Sequence, residues 1–176
     1  MSSTHEDGLG GSITILEHGN HIAPMRFRMI LPRGLAPPAS ECHPSQTEDF
    51  KVLRGTLDLG VIAGKHVVLH AGDSYHLPAG VYHLPRNPGD TDMEFEAVLN
   101  PGLESADMFT DLYAVVREHR GLGRISRAAM VFRRYARAIH FKAPVRAGMA
   151  VVAAIARLFG VKLAALRSAA NAARRA

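Results

Sequence analysis

The sequence predicts a mainly β fold, an antiparallel sandwich or barrel, followed by an α-helical extension. Short apolar runs recur up to residue 100, and turn residues such as Gly, Pro, Asn and Asp separate them. After Asn100-Pro101-Gly102, apolar residues recur at helical spacing instead. We therefore expect a flexible N-terminus at residues 1–11, a β-barrel at residues 12–102 and a basic α-helical extension at residues 103–176.

The strands are indicated by alternation and by short apolar runs. Met25, Phe27 and Leu31 alternate with Arg26 and Arg28, which is the period-2 pattern of a strand with two different faces. Turn signals bound the other runs, so we expect further strands at residues 50–53, 57–62, 66–69 and 93–99.

The helices are indicated by apolar spacing and by their end signals. The first is expected to begin at Ser105, which together with Asp107 can cap it, and to end at Gly121-Leu122-Gly123. Three more are expected at residues 126–140, from Pro144 to a stop at Gly160, and at residues 161–175, where the chain is rich in Ala.

Composition and cysteine usage place the chain among folded proteins that need no oxidising compartment. Its 176 residues suffice for one domain with a core plus an appendage, and 47% of them are hydrophobic. Cys42 is the single cysteine, so an internal disulfide is excluded. The polar, Gly-rich start lacks the features of a signal peptide, which predicts a cytoplasmic location.

Charge is distributed unevenly along the chain. Residues 1–102 carry 7 Lys and Arg against 12 Asp and Glu, whereas residues 103–176 carry 14 against 4. The basic helices can pack on the barrel or on a second subunit, or they can lie on an anionic membrane. Nucleic acid matches the charge, but aromatics make up only 6% of the chain and no base-reading motif is present, so we disfavour it.

Metal-ligating residue types are concentrated in two stretches. Glu41 and His43 are two residues apart, which places them on the same face of a strand, and Glu48 follows after a short loop. His83 follows the tight turn Pro78-Ala79-Gly80. Two imidazoles and a carboxylate suit Fe(II), Mn, Ni, Co or Zn, and open coordination positions would make such a site catalytic.

These stretches resemble the two motifs of the cupin superfamily, over roughly residues 25–100. The second motif, G-x5-P-x-G-x2-H-x3-N, is met in full by Gly72, Pro78, Gly80, His83 and Asn87. The first, G-x5-H-x-H-x3,4-E-x6-G, is met in part. His43, Glu48 and Gly55 are in register, Gly34 lies one residue too far upstream, and Glu41 replaces the first histidine.

The resemblance implies a double-stranded β-helix, or jelly-roll, barrel that forms a homodimer and binds a metal through His43, Glu48 and His83. Glu41 is the departure from the pattern. It can be a fourth metal ligand, it can be a catalytic base beside the metal, or its presence can weaken or abolish metal binding.

The resemblance and the ligand set together predict a metal-dependent enzyme that acts on a small organic molecule. Two histidines and one carboxylate favour Fe(II) and dioxygenase chemistry. The first alternative is a metal-assisted isomerase, cyclase or decarboxylase in which Glu41 is the base. The second is a non-enzymatic cupin that binds or senses a small molecule, with its helical extension contacting a partner or a membrane.

Overall fold

The computed structural model describes residues 2–37, 39–158 and 160–161, which form ten strands and three helices. In chain order these elements are β1 Ser3–Glu6, β2 Ser12–Glu17, β3 Met25–Leu31, β4 Glu41–Cys42, β5 Thr47–Arg54, β6 Thr56–Ile62, β7 Lys65–His70, β8 Ser74–Leu77, β9 Met93–Asn100, α1 Ser105–Glu118, α2 Gly121–Arg134, β10 His140–Phe141 and α3 Ala143–Leu158.

One layer is an antiparallel sheet of six strands in the order β1-β2-β3-β9-β5-β8. Alternation along β3 buries Met25 and Phe27 and leaves Arg26 and Arg28 on the outer face, which confirms the two-faced strand predicted there. On the outer face the Arg28 guanidinium donates to the Glu96 carboxylate of β9 at 2.7 Å.

A second layer lies against the first. It contains two strand pairs, β10 with β4 and β6 with β7. Residues 82–87 join the pairs, because Glu41 bridges to His83 and Asp58 bridges to Arg86. Buried apolar side chains of both layers form one cluster, with Phe27 and Phe95 from the first layer and Leu59 from the second. The predicted mainly β fold of two packed layers is thereby confirmed.

The helices follow the β-region and differ from prediction at their ends. The N-cap of α1, Glu104, makes no side-chain hydrogen bond to the helix, and the hydroxyl of Ser105, the predicted cap, instead accepts a hydrogen bond from Gln46 Nε2 at 3.0 Å. The predicted second helix, 126–140, begins earlier, at Gly121, and ends earlier, at Arg134. Gly160 lies just beyond α3 with φ +73°, as its predicted role as a stop requires. The helix predicted at residues 161–175 lies outside the described residues, apart from Val161.

Two short strands lie where no β structure was expected. His140–Phe141, expected at a helix end, forms β10 because it satisfies hydrogen-bonding groups at the edge of β4. Ser3–Glu6, inside the expected flexible N-terminus, pairs with β2 along the edge of the six-stranded sheet. Both segments are too short for a periodic signal. No helix within the described ranges has the length and apolar character needed to cross a membrane.

The turn between β5 and β6 depends on Gly55. Its φ is +79°, in the left-handed region that favours glycine, and a Cβ added there would lie 2.8 Å from Cβ of Met93. Gly64, in the turn between β6 and β7, has the same φ of +79° but no atom within 4 Å of an added Cβ.

We therefore predict that Gly55→Ala lowers the free energy of unfolding more than Gly64→Ala does. Both substitutions strain the backbone, and only the first also places a Cβ against the side chain of Met93 in β9, which adds about 1–3 kcal/mol. Urea unfolding measures the difference. Equal decreases in the free energy of unfolding of the two variants would contradict this prediction, because they would show that the contact with Met93 does not destabilise the protein.

Residues 82–87 are held to β6 by a buried carboxylate, that of Asp58. Its Oδ2 accepts from Arg86 Nε at 2.9 Å and Nη2 at 2.7 Å, and its Oδ1 accepts from the Gly60 N–H at 2.7 Å. His66 Nε2 lies 2.9 Å from the same Oδ1. Burial opposes ionisation of the carboxyl, but these donors outweigh it and hold the pKa of Asp58 below its ordinary value of 3.8.

Because folding lowers the pKa of Asp58, the contribution of this residue to the free energy of unfolding depends on pH. The folded state favours the carboxylate, so the contribution is present above pH 4 or so and is lost as the pH falls through the lower, folded-state pKa. We predict that Asp58→Asn costs about 1–3 kcal/mol of stability at pH 7 and progressively less at more acidic pH. Denaturant unfolding of both proteins from pH 7 to pH 3 measures this, and a difference that stays constant with pH would contradict it.

Candidate metal centre

Two of the predicted ligands are paired across neighbouring segments of the second layer. The Glu41 N–H donates to the His83 carbonyl, and the His83 N–H donates to the Glu41 carbonyl, both at 2.9 Å. Residues that exchange both hydrogen bonds in an antiparallel pair project their side chains to the same face. The pairing therefore places the Glu41 carboxyl beside the His83 imidazole.

The third predicted ligand, His43, is held in the same layer by the turn before His83. The His43 carbonyl accepts a hydrogen bond from the Gly80 N–H at 2.8 Å. Gly80 has φ +77°, so the turn at Pro78-Ala79-Gly80 needs a residue that tolerates the left-handed region. The rings of His43 and His83 lie side by side, with centroids 5.9 Å apart.

The fourth predicted ligand, Glu48, comes from the opposite layer. Alternation along β5 buries Glu48, Phe50 and Val52 on the face that points into the core. Glu48 Oε2 lies 3.2 Å from His83 Nε2 and 3.6 Å from His43 Nε2. Ligand atoms of Glu41, His43 and His83 lie within 4.8 Å of one another. The structure thus brings all four predicted residues together.

Two atoms at the centre of this group are buried without a hydrogen-bond partner, Glu48 Oε2 and His83 Nε2. They lie 3.2 Å apart, within ion-pair distance when His83 is protonated, and no group outside this cluster satisfies either atom. A buried polar atom without a partner is costly, and a carboxylate oxygen is more so. A divalent cation between these atoms would satisfy both, and histidine nitrogens with carboxylate oxygens are ligands that such cations accept. The residues therefore fit a metal ion.

Protonation within the group follows from burial and from mutual charge. Burial lowers the pKa of His83, but the carboxylates of Glu48 and Glu41 outweigh this and raise it to about 9. A proton and a metal ion therefore compete for His83 Nε2. Burial raises the pKa of the Glu41 carboxyl, and the two histidines oppose that shift. The Glu41 residue is partly exposed to solvent, whereas its carboxyl group is buried.

A backbone carbonyl of the helical extension orients the His43 ring. This contact was not predicted from the sequence. His43 Nδ1 lies 2.6 Å from the Ala138 carbonyl oxygen, between α2 and β10. A carbonyl can only accept, so Nδ1 carries the proton and the lone pair of Nε2 is left for a metal. Pairing of β10 with β4 fixes this contact, because Phe141 lies opposite Glu41. A backbone carbonyl leaves no signature in a sequence.

The surface cavities do not coincide with this group of ligands. A cavity of about 400 Å³ opens on the outer face of the six-stranded sheet, where Arg26, Lys51 and His76 line it. Arg26 has side-chain exposure of 51%, and it lies on the face of the sheet turned away from the core. A second cavity, of about 360 Å³, is lined by Pro44 and Ser45, directly after His43, and by Arg137 and His140 on either side of Ala138. We identify the candidate centre by its ligand chemistry, because none of the four ligands lines either cavity.

Comparisons with known proteins agree with the sequence motifs. Residues 27–99 match the sequence model of a family described as the cupin domain. Germin-like protein 5-1 of Oryza sativa subsp. japonica is 38% identical over 84 residues, which are 44% of this chain and 37% of that protein. The chain thus spans little more than a third of the length of this curated relative.

Solved structures with similar folds include two bacterial proteins. One is an uncharacterized conserved protein with a double-stranded β-helix domain from Klebsiella pneumoniae, with 23% identity, TM-score 0.45, and coverage of 52% of this chain and 76% of that one. The other is a predicted oxalate decarboxylase from Thermotoga maritima, with 28% identity and a TM-score of 0.43. The match covers 56% of this chain and 90% of that one.

The two motifs, the two-layered β fold and the family match therefore lead to one conclusion: residues 27–99 of this chain form a cupin domain.

Proposed function

We propose that the chain is a metal-dependent cupin enzyme that acts on a small organic molecule, as an oxidoreductase of the dioxygenase type. The observation that carries the proposal is the buried pair of Glu48 Oε2 and His83 Nε2, next to His43 Nε2, which no group outside this cluster satisfies. Side chains that serve only stability rarely leave such atoms without a partner in a core.

In this proposal His43, Glu48 and His83 hold the metal. Fe(II) is the first choice, and Mn, Ni, Co and Zn suit the same ligands. When bound with open coordination positions, the metal would supply the site for dioxygen and substrate. The chain itself supplies a His43 ring whose tautomer is fixed by Ala138 and a surrounding core that excludes water.

Glu41 supports a second candidate function, a metal-assisted isomerase, cyclase or decarboxylase. Burial raises the pKa of its carboxyl, which makes the group a stronger base than an exposed carboxylate and suits it to take up and return a proton. Its position beside His83 would let it move a proton on a substrate that the metal holds. If Glu41 instead bound the metal as a fourth ligand, it would occupy a coordination position and would not be free to act as the base.

We propose that substrate reaches the centre through the cleft beside His43, between the β-region and the extension. His21, Arg137 and His140 line it together with Glu104, so its cationic and polar groups suit a small molecule with an acidic or polar group. The homodimer and the cytoplasmic location stay predictions.

The metal assignment is tested by removing one ligand. We predict that purified protein contains close to one Fe, Mn, Ni, Co or Zn per chain and that His83→Ala lowers this at least about tenfold. His76→Ala is the matched control, because His76 is an exposed histidine on the outer face with side-chain exposure of 59%. Elemental mass spectrometry measures both. Metal retained in the His83 variant, or none in the parent after reconstitution, would contradict the assignment.

The role of Glu41 is tested by comparing two isosteric substitutions. We predict that Glu48→Gln loses the metal, whereas Glu41→Gln keeps it, because Glu41 acts beside the metal and not on it. Fe(II)-loaded parent and Glu41→Gln proteins should both bind nitric oxide at an open position, as seen in the electron paramagnetic resonance signal of the iron–nitrosyl complex.

Two outcomes would contradict this account of the centre. Loss of metal in Glu41→Gln would make Glu41 a ligand. Failure of the metal-loaded parent to bind nitric oxide would mean that the coordination is closed, and it would favour a non-catalytic, ligand-binding cupin.

A further inference from the structure

Residues 135–139 link α2 to β10, and we call them the connecting turn. The Ala138 carbonyl in this turn accepts the hydrogen bond from His43 Nδ1. The two residues are 95 positions apart, and Ala138 lies outside the cupin domain at residues 27–99. The orientation of one candidate ligand of the domain therefore depends on what holds the connecting turn in place.

The backbone of the connecting turn is wound around the carbonyl of Tyr135. That oxygen accepts a hydrogen bond from the Ala138 N–H at 2.9 Å and from the Ile139 N–H at 3.2 Å. The Tyr135 N–H in turn donates to the Val131 carbonyl at 3.0 Å, which ties the turn to the end of α2. Because these bonds link Ala138 directly to Tyr135, a displacement of Tyr135 displaces the Ala138 carbonyl as well.

The side chain of Tyr135 is anchored to α1. Its hydroxyl donates a hydrogen bond to Asp111 Oδ2 at 2.8 Å, and both residues are buried. The ring packs in an apolar cluster that includes Met108 of α1 and Val131 of α2. Apolar packing tolerates sliding and rotation, whereas a buried hydrogen bond is directional and selects one arrangement. The bond to Asp111 therefore defines where Tyr135 lies between the two helices.

The other end of the connecting turn is held by β10. His140 pairs with Cys42 of β4, the residue that precedes His43. This strand has two residues, so its pairing alone leaves the preceding turn weakly defined. Tyr135 supplies the second anchor, three residues before the carbonyl that contacts His43.

We propose that Tyr135 and Asp111 are positioning residues for the metal centre. Their hydrogen bond places the Ala138 carbonyl, which in turn holds the His43 ring with Nε2 directed toward Glu48. The helical extension is thereby a working part of a site whose ligands all lie in the cupin domain. The consequence for metal affinity rests on the proposed function, whereas the orientation of His43 is a property of the metal-free chain.

A purely structural role for the Tyr135–Asp111 pair makes a different prediction. Loss of the pair would then loosen the helices and leave the His43 hydrogen bond unchanged. His83 provides an internal reference, because its Nδ1 lies 3.2 Å from the Val81 carbonyl and that contact is made within the β-region. The two imidazole Nδ1 protons therefore separate local positioning from general loosening.

Nuclear magnetic resonance of the metal-free full chain, with its histidines labelled with ¹⁵N, tests the positioning. The signal of the His43 Nδ1 proton is assigned by its absence in His43→Gln. We predict that Tyr135→Phe shifts this signal upfield and speeds exchange of the proton with water at least about tenfold, because its hydrogen bond is no longer held in place. The His83 signal should stay as in the parent.

Zinc titration of the same proteins tests the consequence for the metal. We predict that Tyr135→Phe and Asp111→Ala each weaken Zn²⁺ binding about tenfold, the lower end of what loss of a group supporting a ligand costs. Asp111→Asn should bind zinc as the parent does, since its amide oxygen still accepts from the Tyr135 hydroxyl. The matched control is Tyr113→Phe, because Tyr113 is the other tyrosine of the extension and packs into the core of the β-region.

Three results would overturn the proposal. The first is an unchanged His43 signal in Tyr135→Phe, and the second is an equal change in the His43 and His83 signals. The third is equal weakening of zinc binding by Asp111→Asn and Asp111→Ala, which would assign the effect to charge instead of the hydrogen bond. If the parent binds no metal, the proposed function fails, and the His43 signal alone decides this inference. Circular dichroism establishes that each variant is folded, and the two Asp111 variants replace Tyr135→Phe in both measurements if that variant does not fold.

Discussion

The backbone pairing of Glu41 with His83 is the interaction on which the candidate centre depends. Its two hydrogen bonds, each 2.9 Å, join β4 to residues 82–87 and fix two side chains that lie 42 positions apart in the sequence. The same segment is held on its other side by Asp58 and Arg86. With the second layer fixed in this way, Glu48 reaches across from the first layer, and sheet packing sets the distance that its side chain has to span.

Two buried carboxylates in this fold show the difference between a structural role and a ligand role. Asp58 has donors at both oxygens, from Arg86, Gly60 and His66, so its charge is fully compensated by the protein. Glu48 is as deeply buried, yet its Oε2 has no hydrogen-bond partner and faces two histidine nitrogens. The protein compensates the charge of Asp58 with its own hydrogen-bond donors but does not do so for Glu48. A cation would compensate the charge of Glu48, and this is the physical basis of the metal assignment.

The resemblance to the cupin motifs predicted His43, Glu48 and His83 as ligands, and the structure places these side chains together. The period-2 pattern of β3 was strong enough to separate its two faces. Features set by tertiary contacts escaped prediction. β10 and β1 are short edge pairings that form only once the strands they pair with are in place. The Ala138 carbonyl that orients His43 could not be predicted, because every residue carries the same group.

The central claim is that side chains from both layers converge on one metal ion, and anomalous X-ray diffraction from crystals of the purified protein tests it most directly. Data collected on both sides of the absorption edge of the metal found in solution would locate that ion. The account predicts a single anomalous peak about 2.0–2.3 Å from His43 Nε2, His83 Nε2 and a Glu48 oxygen. A peak elsewhere on the chain, or ordered water hydrogen-bonded to these atoms with no anomalous signal after metal reconstitution, would contradict it.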